Sequence, residues 1–305
     1  MYTKYIGTYQ RFQWINDTKV DDILNCYLKP NNFGRKGYGQ LLLFKWLILR
    51  QLHNCSYRDL ESLSGIHYST FIKFKNKLKK SNWFENVFNK LVTIIGKILG
   101  SLSCLQDSSF VETYSKRKEQ GAEYNGHKEK IGFKLHQIID HTTRLPLKQI
   151  VTAGAKSDVR IGTKLIDKVS KYWKVKEWLA DKAYDAGYVI DQLRWKWKGI
   201  KIGIPVRRTS QEARGSKTRL TKEQEALKAK ERTLTKEFLN KRTEIERYFS
   251  RKKRVFNLGR ERTRGLNNFK TNCFLTSIME ILEWLTKPFL IIFHQTHKDI
   301  FVLLK

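Results

Sequence analysis

From about residue 102 the chain changes character: short apolar runs of strand length begin to alternate with stretches of helical periodicity. Residues 102–112 alternate and contain Cys104-Leu105-Gln106-Asp107-Ser108-Ser109-Phe110-Val111, and residues 131–140 and 147–152 are two further strand candidates. A helix is expected over residues 160–172. The apolar run Glu177-Trp178-Leu179-Ala180 leads into Asp181, residues 187–196 read as a helix, and 200–205 as one more short strand. Such elements bury their apolar faces as an α/β layer structure, a mixed sheet flanked by helices.

The part before this reads as helical. Residues 41–52 are apolar on nearly every face, as in a buried helix. Ser56-Tyr57-Arg58-Asp59 has capping-box spacing, in which the Ser hydroxyl takes an N3 amide and the Asp carboxylate reaches back. Ser64-Gly65 ends that short helix, and a second is predicted over 68–79. Two short helices around a glycine-containing turn make a helix-turn-helix-like pair. In the second, Phe71, Phe74 and Leu78 form the buried stripe, which turns Ser69, Thr70, Lys73, Asn76 and Lys77 outward as DNA contacts. An ordinary helical hairpin in a basic protein would show the same pattern.

Charge says what such a chain meets. Its 305 residues carry 60 Lys+Arg against 29 Asp+Glu, a formal net charge of +31. Residues 1–80 hold 14 of the basic residues against 5 acidic ones, and residues 201–270 hold 22 against 8. Two basic blocks around a balanced centre suit a polyanion, and nucleic acid is the commonest. A membrane is not the expected partner. The longest apolar stretch, 41–49, is interrupted by Lys45, the C-terminal one is broken by Pro288, His294 and Lys298, and the opening residues do not resemble a secretion signal. Cys26, Cys55, Cys104 and Cys273 lie too far apart for a zinc knuckle or a disulfide framework, so a cytoplasmic protein is expected.

Asp107 and Asp181 each end a short apolar run, which puts both at the carboxyl edge of a sheet, where α/β proteins build their sites. A third carboxylate, Glu246, lies in a long helical pattern starting near Thr221, beside the buried positions Ile245 and Phe249. Three hard oxygen ligands suit Mg²⁺ or Mn²⁺, and a pair of such ions clamps both oxygens of an in-line phosphoryl displacement.

These residues resemble those of the DDE transposases of bacterial insertion sequences, which have an RNase H-like catalytic core. The first aspartate of that family matches Asp107 in Leu105-Gln106-Asp107-Ser108-Ser109, and its Lys-x-His strand matches Lys134-Leu135-His136. The second matches Asp181 in Ala180-Asp181-Lys182-Ala183-Tyr184-Asp185, followed by Ile204-Pro205-Val206-Arg207. The Tyr-x2-Arg-x3-Glu-x6-Lys signature is met by Arg242, Glu246 and Lys253, with Leu239 where the tyrosine would stand. The resemblance implies that Asp107, Asp181 and Glu246 bind two Mg²⁺ ions, for which Mn²⁺ can substitute. It also implies cleavage at the element's terminal inverted repeats, then strand transfer into target DNA by a nucleoid-associated homodimer. Arg242 and Lys253 would contact phosphates, with Lys134 and Arg207 as further DNA contacts.

Residues 1–100 are then expected to be a helical DNA-binding region. Residues 101–305 would form the catalytic domain, with a basic helical insertion at about 206–240. A DNA-binding descendant without catalysis and a nuclease without strand transfer are the rival readings. Glu244 competes with Glu246, and Asp185 with Asp181, although Asp185 reads better as a helix cap before Gly187. His127 and His136 are candidate acid–base groups, Asp158 is expected to cap the following helix, and Trp173, Trp178, Trp195 and Trp197 are expected to be mostly core.

Overall fold

The computed structural model describes residues 13–28, 37–207, 209–211, 217–230, 232–260 and 264–286. The chain's opening and the apolar stretch beyond residue 286 lie outside them. The chain divides into two compact units, one of residues 1–94, 252–263 and 270–305, the other of residues 95–251 and 264–269.

In the first unit α1 (Thr18–Asn25), α2 (Gln40–His53), α3 (Tyr57–Ser64) and α4 (Tyr68–Lys80) follow one another, and α5 (Trp83–Ile98) begins there. The capping box closes as the sequence predicts: Ser56 Oγ accepts from Asp59 N at 3.1 Å, and Ser56 N donates to Asp59 Oδ2 at 2.7 Å. Gly65, at φ 71°, ends α3 in the left-handed conformation that glycine tolerates best. Phe71, Phe74 and Leu78 are buried along α4. Beside them lies a buried cation, Lys75, whose Nζ donates to Asn272 Oδ1 at 2.7 Å. Lys252 is fully buried too, donating to Glu280 Oε2 at 2.8 Å and Ser277 Oγ at 2.7 Å. Among the described residues no helix is long and apolar enough to cross a membrane.

The second unit is built on a mixed sheet. Its central strand β1 (Ser101–Glu112) pairs antiparallel with β3 (Lys130–Asp140) and parallel with β5 (Lys174–Ala180). Beyond β3 lie β4 (Pro146–Ala153) and the short β2 (Glu123–Asn125), both antiparallel to it, and beyond β5 lies the parallel β6 (Lys201–Gly203). An antiparallel meander extended by two parallel strands is the RNase H-like mixed sheet expected from the resemblance. Helices α6 (Asp158–Lys168) and α7 (Gly187–Lys196) bury Leu165, Ile166, Val189, Ile190 and Leu193. Trp178, fully buried on β5, stacks on Trp197 and donates from Nε1 to Gln106 Oε1 at 3.0 Å.

The long helix predicted from near Thr221 is instead three, α8 (Lys222–Lys230), α9 (Lys236–Asn240) and α10 (Thr243–Arg254). Tertiary contacts interrupt it. Thr233 N donates to Ile202 O of β6, and Arg232 reaches Ile204 O at 3.0 Å and Asp185 Oδ1 at 2.7 Å. Thr235 then caps α9, accepting from Phe238 N. A hairpin of β7 (Thr209–Gln211) and β8 (Lys217–Arg219) precedes α8, unforeseen because each strand has only three residues. A final helix, α11 (Leu266–Leu285), closes the described chain. Its first residues lie in the second unit, where Phe269 stacks on Phe133.

Gly162 in the middle of α6 shows how tightly this sheet is covered. A Cβ there would lie 2.7 Å from Tyr184 Cε1 and 2.8 Å from Gln106 Nε2. Exposed Gly→Ala changes inside helices stabilise by about 1 kcal/mol. Here overpacking against a buried ring opposes that gain and costs ~1–3 kcal/mol. Gly162→Ala is therefore expected to lower the urea midpoint, and an increase would show that the ring yields freely.

Candidate active site

The site begins with strand register. Gln106 of β1 lies opposite Ala180, the last residue of β5. Because the strands are parallel, the next residues, Asp107 and Asp181, are neighbours where β5 ends. Asp181 leaves the sheet there, but Asp107, expected at a strand end, lies inside β1 and faces Gln137 of β3. Asp107 Oδ1 accepts from Ser108 N at 2.8 Å, and Asp181 Oδ1 from Lys182 N at 2.6 Å, where it caps a 3-10 turn over Lys182–Tyr184.

The electrostatic cost of the site falls on Asp107. Burial pushes Asp107 up from 3.8 to about 6, and the charges of Asp181 and Asp158 push the same way. The Ser108 amide and the Arg242 guanidinium oppose that rise without cancelling it. Arg242 begins the α10 segment, and its neighbour Lys241 fastens that segment to β5 through Glu177 Oε2 at 2.8 Å, which also accepts from Ser103 Oγ.

Arg242 Nη2 also pairs with Glu246 Oε1 at 3.1 Å, one turn on, and the glutamate side chain is 58% exposed. The structure thus brings Asp107, Asp181 and Arg242 together, with Glu246 held on the guanidinium. As placed, no three His, Cys, Asp or Glu side chains among the described residues stand close enough to hold a metal ion. Glu244 pairs with Arg144 at 2.8 Å and with Arg247. Arg144 lies in the β3–β4 turn, at the opposite edge of the sheet from Asp107, so Glu244 faces away from the aspartates.

Two aspartates differ from their expected roles. Asp158 is the first residue of α6, and Ser157 before it is the cap position, without a side-chain cap bond. The Asp158 carboxylate instead accepts from Lys134 Nζ at 3.1 and 3.2 Å, with His136 Nδ1 3.5 Å away. Asp185 does not cap α7. It accepts from Arg207 N at 2.6 Å and pairs with Arg232, both side chains buried. A hydrogen bond between charged groups is roughly twice as strong as a neutral one, which favours these pairings over a cap.

The remaining candidates fall as follows. Lys134 is bound to Asp158 and to Lys156 O, next to the site. His136 is buried, with Nε2 2.9 Å from Thr152 Oγ1, and burial first, then Lys134, lowers it to about 4, so it is neutral near pH 7. His127 and the Arg207 side chain are exposed. Lys253 is half-buried on α10 in the other unit. Lys73, Asn76 and Lys77 are exposed on α4, lining a hollow of about 880 Å³. Ser69 and Thr70 are half-buried, and the Ser69 hydroxyl lies 2.8 Å from His67 Nδ1. Leu239 is half-buried while Phe238 beside it is buried. Trp173, Trp178 and Trp197 are core as expected, but Trp195 is 82% exposed.

One residue had no signal in the sequence. Tyr184 is buried beside the aspartates, and its hydroxyl completes no hydrogen bond although the Ser108 side chain is near. Burial first, then the charges of Asp107, Asp158 and Asp181, hold that phenol well above its ordinary value, so it stays protonated and can only donate toward them.

Two neighbouring carboxylates where the parallel pairing ends in an RNase H-like sheet, in a chain of net charge +31, are the features to set beside known proteins. The profile of the transposase DDE domain matches residues 103–280, which is more than half the chain, and the protein belongs to that family. It is thus a transposase, of a family that acts on DNA and generally uses divalent metal ions. Comparison with curated proteins gave no match. Among solved structures, the cryo-EM structure of a piggyBac transposase synaptic complex with hairpin DNA is similar at 12% identity. That match covers 93% of this chain and 80% of the other, with a TM-score of 0.35, a likeness from which no function follows.

The raised carboxyl has a measurable consequence. Folded Asp107 keeps its proton up to about pH 6, whereas an ordinary aspartate releases it near 3.8. The native state then binds more protons across that window, so stability falls as pH rises through it. In metal-free buffer Asp107→Asn is expected to flatten that fall and to exceed the parent near pH 7 by roughly 1–3 kcal/mol. Urea unfolding with chelator near pH 4 and near pH 7 measures both, and equal stabilities at the higher pH would contradict the burial of this charge.

Proposed function

We propose that the protein cleaves DNA at the terminal inverted repeats of its own element and joins the freed ends to target DNA, with Asp107, Asp181 and Glu246 as ligands for Mg²⁺ or Mn²⁺. The observation that carries this reading is the pair of aspartates set next to each other by the parallel strands β1 and β5 where their pairing ends, inside the matched domain. Their donor chemistry fits a hard cation. The Asp107 carboxyl is desolvated, and the charge of Asp181 adds to that cost, which a divalent charge would relieve. Glu246 completes the set by leaving Arg242. That exposed pair, four residues apart on a helix, stabilises by only about 0.3–0.5 kcal/mol.

The divalent ions supply charge neutralisation at the scissile phosphate and acidify the attacking hydroxyl or water. The chain's own residues do the rest. Asp107 and Asp181 would hold the ions where the β1–β5 pairing ends. Arg242, released from Glu246, meets a neighbouring phosphate oxygen. The Lys134–Asp158 pair and neutral His136 form a rigid wall behind the site, and Tyr184 donates to whichever aspartate oxygen faces inward. Hydrolysis and strand transfer differ only in the nucleophile, so one site serves both. Residues 1–100 supply DNA binding through the face of α4 bearing Lys73, Asn76 and Lys77, with Ser69 and Thr70 at its start. Residues 101–305 form the catalytic domain with its basic insertion. Lys253 and Arg207 are further phosphate contacts. Two copies hold two ends together, and the protein acts on the nucleoid in the cytoplasm.

A second reading, binding to DNA without cutting it, is favoured by the Arg242–Glu246 pair, which keeps the third carboxylate away from the other two. Incubation with terminal-repeat DNA and Mg²⁺ separates the alternatives: joined products support the transposase, nicks alone a nuclease, and mobility shifts alone a binder. Asp107→Ala, Asp181→Ala and Glu246→Ala are each expected to lower joining by more than about a hundredfold with DNA binding retained. Strand transfer surviving in any of them would remove that residue from the metal site.

A further inference from the structure

β1 outruns β5. Their pairing ends at Gln106–Ala180, but β1 continues to Glu112, paired there only with β3. The β1–β3 arm therefore projects past the two aspartates and carries at its tip the connection to β2, residues 113–122. Five residues at about 3.3 Å each set that tip roughly 17 Å from Asp107, or about half a turn of duplex DNA at ~3.4 Å per base pair.

The tip is basic, concave and held in shape. Ser115, Arg117, Lys118, Glu119 and Arg264 line a cavity of about 540 Å³ there. Arg117 O accepts from Thr113 Oγ1, Lys116 N donates to Thr113 O, and Leu266 N donates to Gln120 O. Gly121, at φ 76°, makes the tight approach to Leu266, where a Cβ would lie 2.7 Å from Leu266 Cβ. The one carboxylate in the cavity, Glu119, is turned inward: it accepts from Ser115 N, Ser115 Oγ and Gly265 N. Arg264 acts on that carboxylate, while Lys116, Arg117 and Lys118 are exposed, with no carboxylate within 4 Å among the described residues.

We infer that this loop and Arg264 form a phosphate-binding surface for the DNA duplex, gripping the backbone about half a helical turn from the phosphate at Asp107. A solvated basic face needs neither a pinned loop nor a sequestered carboxylate. A groove that receives phosphates needs both, because ordering the cations beforehand reduces the entropy lost on binding. The placement rests on reading Asp107 and Asp181 as the reaction centre.

The test uses the full chain and a short duplex of arbitrary sequence, with affinity measured by anisotropy across a salt series. Each phosphate contact contributes about 0.9 to the slope of log affinity against log salt. The triple variant Arg117→Gln, Lys118→Gln, Arg264→Gln is expected to lose roughly 2–3 from that slope. A charge-matched control, Lys168→Gln, Lys171→Gln, Lys174→Gln, removes exposed lysines near the opposite edge of the sheet, where β5 begins. It is expected to change the slope by less than about 1. An unchanged slope in the loop variant, or an equal loss in the control, overturns the inference while leaving the proposed function standing. A parent chain that binds no duplex removes the proposed function, and this surface with it.

Discussion

Parallel pairing of β1 with β5 is the constraint on which the second unit turns. It makes Gln106 and Ala180 neighbours, so the residues after them, Asp107 and Asp181, come together where β5 ends. The same pairing buries Trp178 against Gln106 and sets Glu177 where Lys241 can bind it, which fastens the segment carrying Arg242. A slip by one residue would send every side chain to the other face and part the two aspartates. The interaction holding the sheet together is therefore also the one that assembles the acidic pair.

That assembly is unfavourable by itself. Burial and like charge raise Asp107, and the fold tolerates this because Ser108 N, Arg242 and the surrounding basic chain offset part of the cost. The fold supplies other charges with partners. Asp185 is clamped by Arg232, Lys252 by Glu280, and Asp158 by Lys134. Asp107 differs from these, since it keeps a backbone amide and only a partial counter-charge in Arg242. Groups kept in a strained electrostatic state are typical of sites that bind an ion or a charged substrate.

The helices around the site divide by what sets them. The α3 capping box, the Gly65 stop and the buried stripe of α4 are local, and the sequence makes them plain. The breaks between α8, α9 and α10 are not local. Residues 221–250 have uninterrupted helical periodicity, but Thr233 and Arg232 are drawn to the edge of β6 and to Asp185. Hydrogen bonds across that distance in sequence leave no pattern to read. Asp158 and Asp185 read as helix caps for the same reason, since their lysine and arginine partners lie 24 and 47 residues away.

Sequence alone determined the α/β class, the placement of Asp181 at the end of its strand, and the basic character that points to nucleic acid. Each follows from hydrophobic periodicity or composition, which are properties of neighbouring residues. Asp107 reads as a strand end too, whereas β1 runs on to Glu112. Only the tertiary structure decided that Tyr184 lies beneath the aspartates, that Glu246 is held on Arg242, and that the β1–β3 arm carries a basic cavity beyond the site. Those features depend on register and on side chains meeting from distant elements, and a one-dimensional pattern carries no record of such meetings.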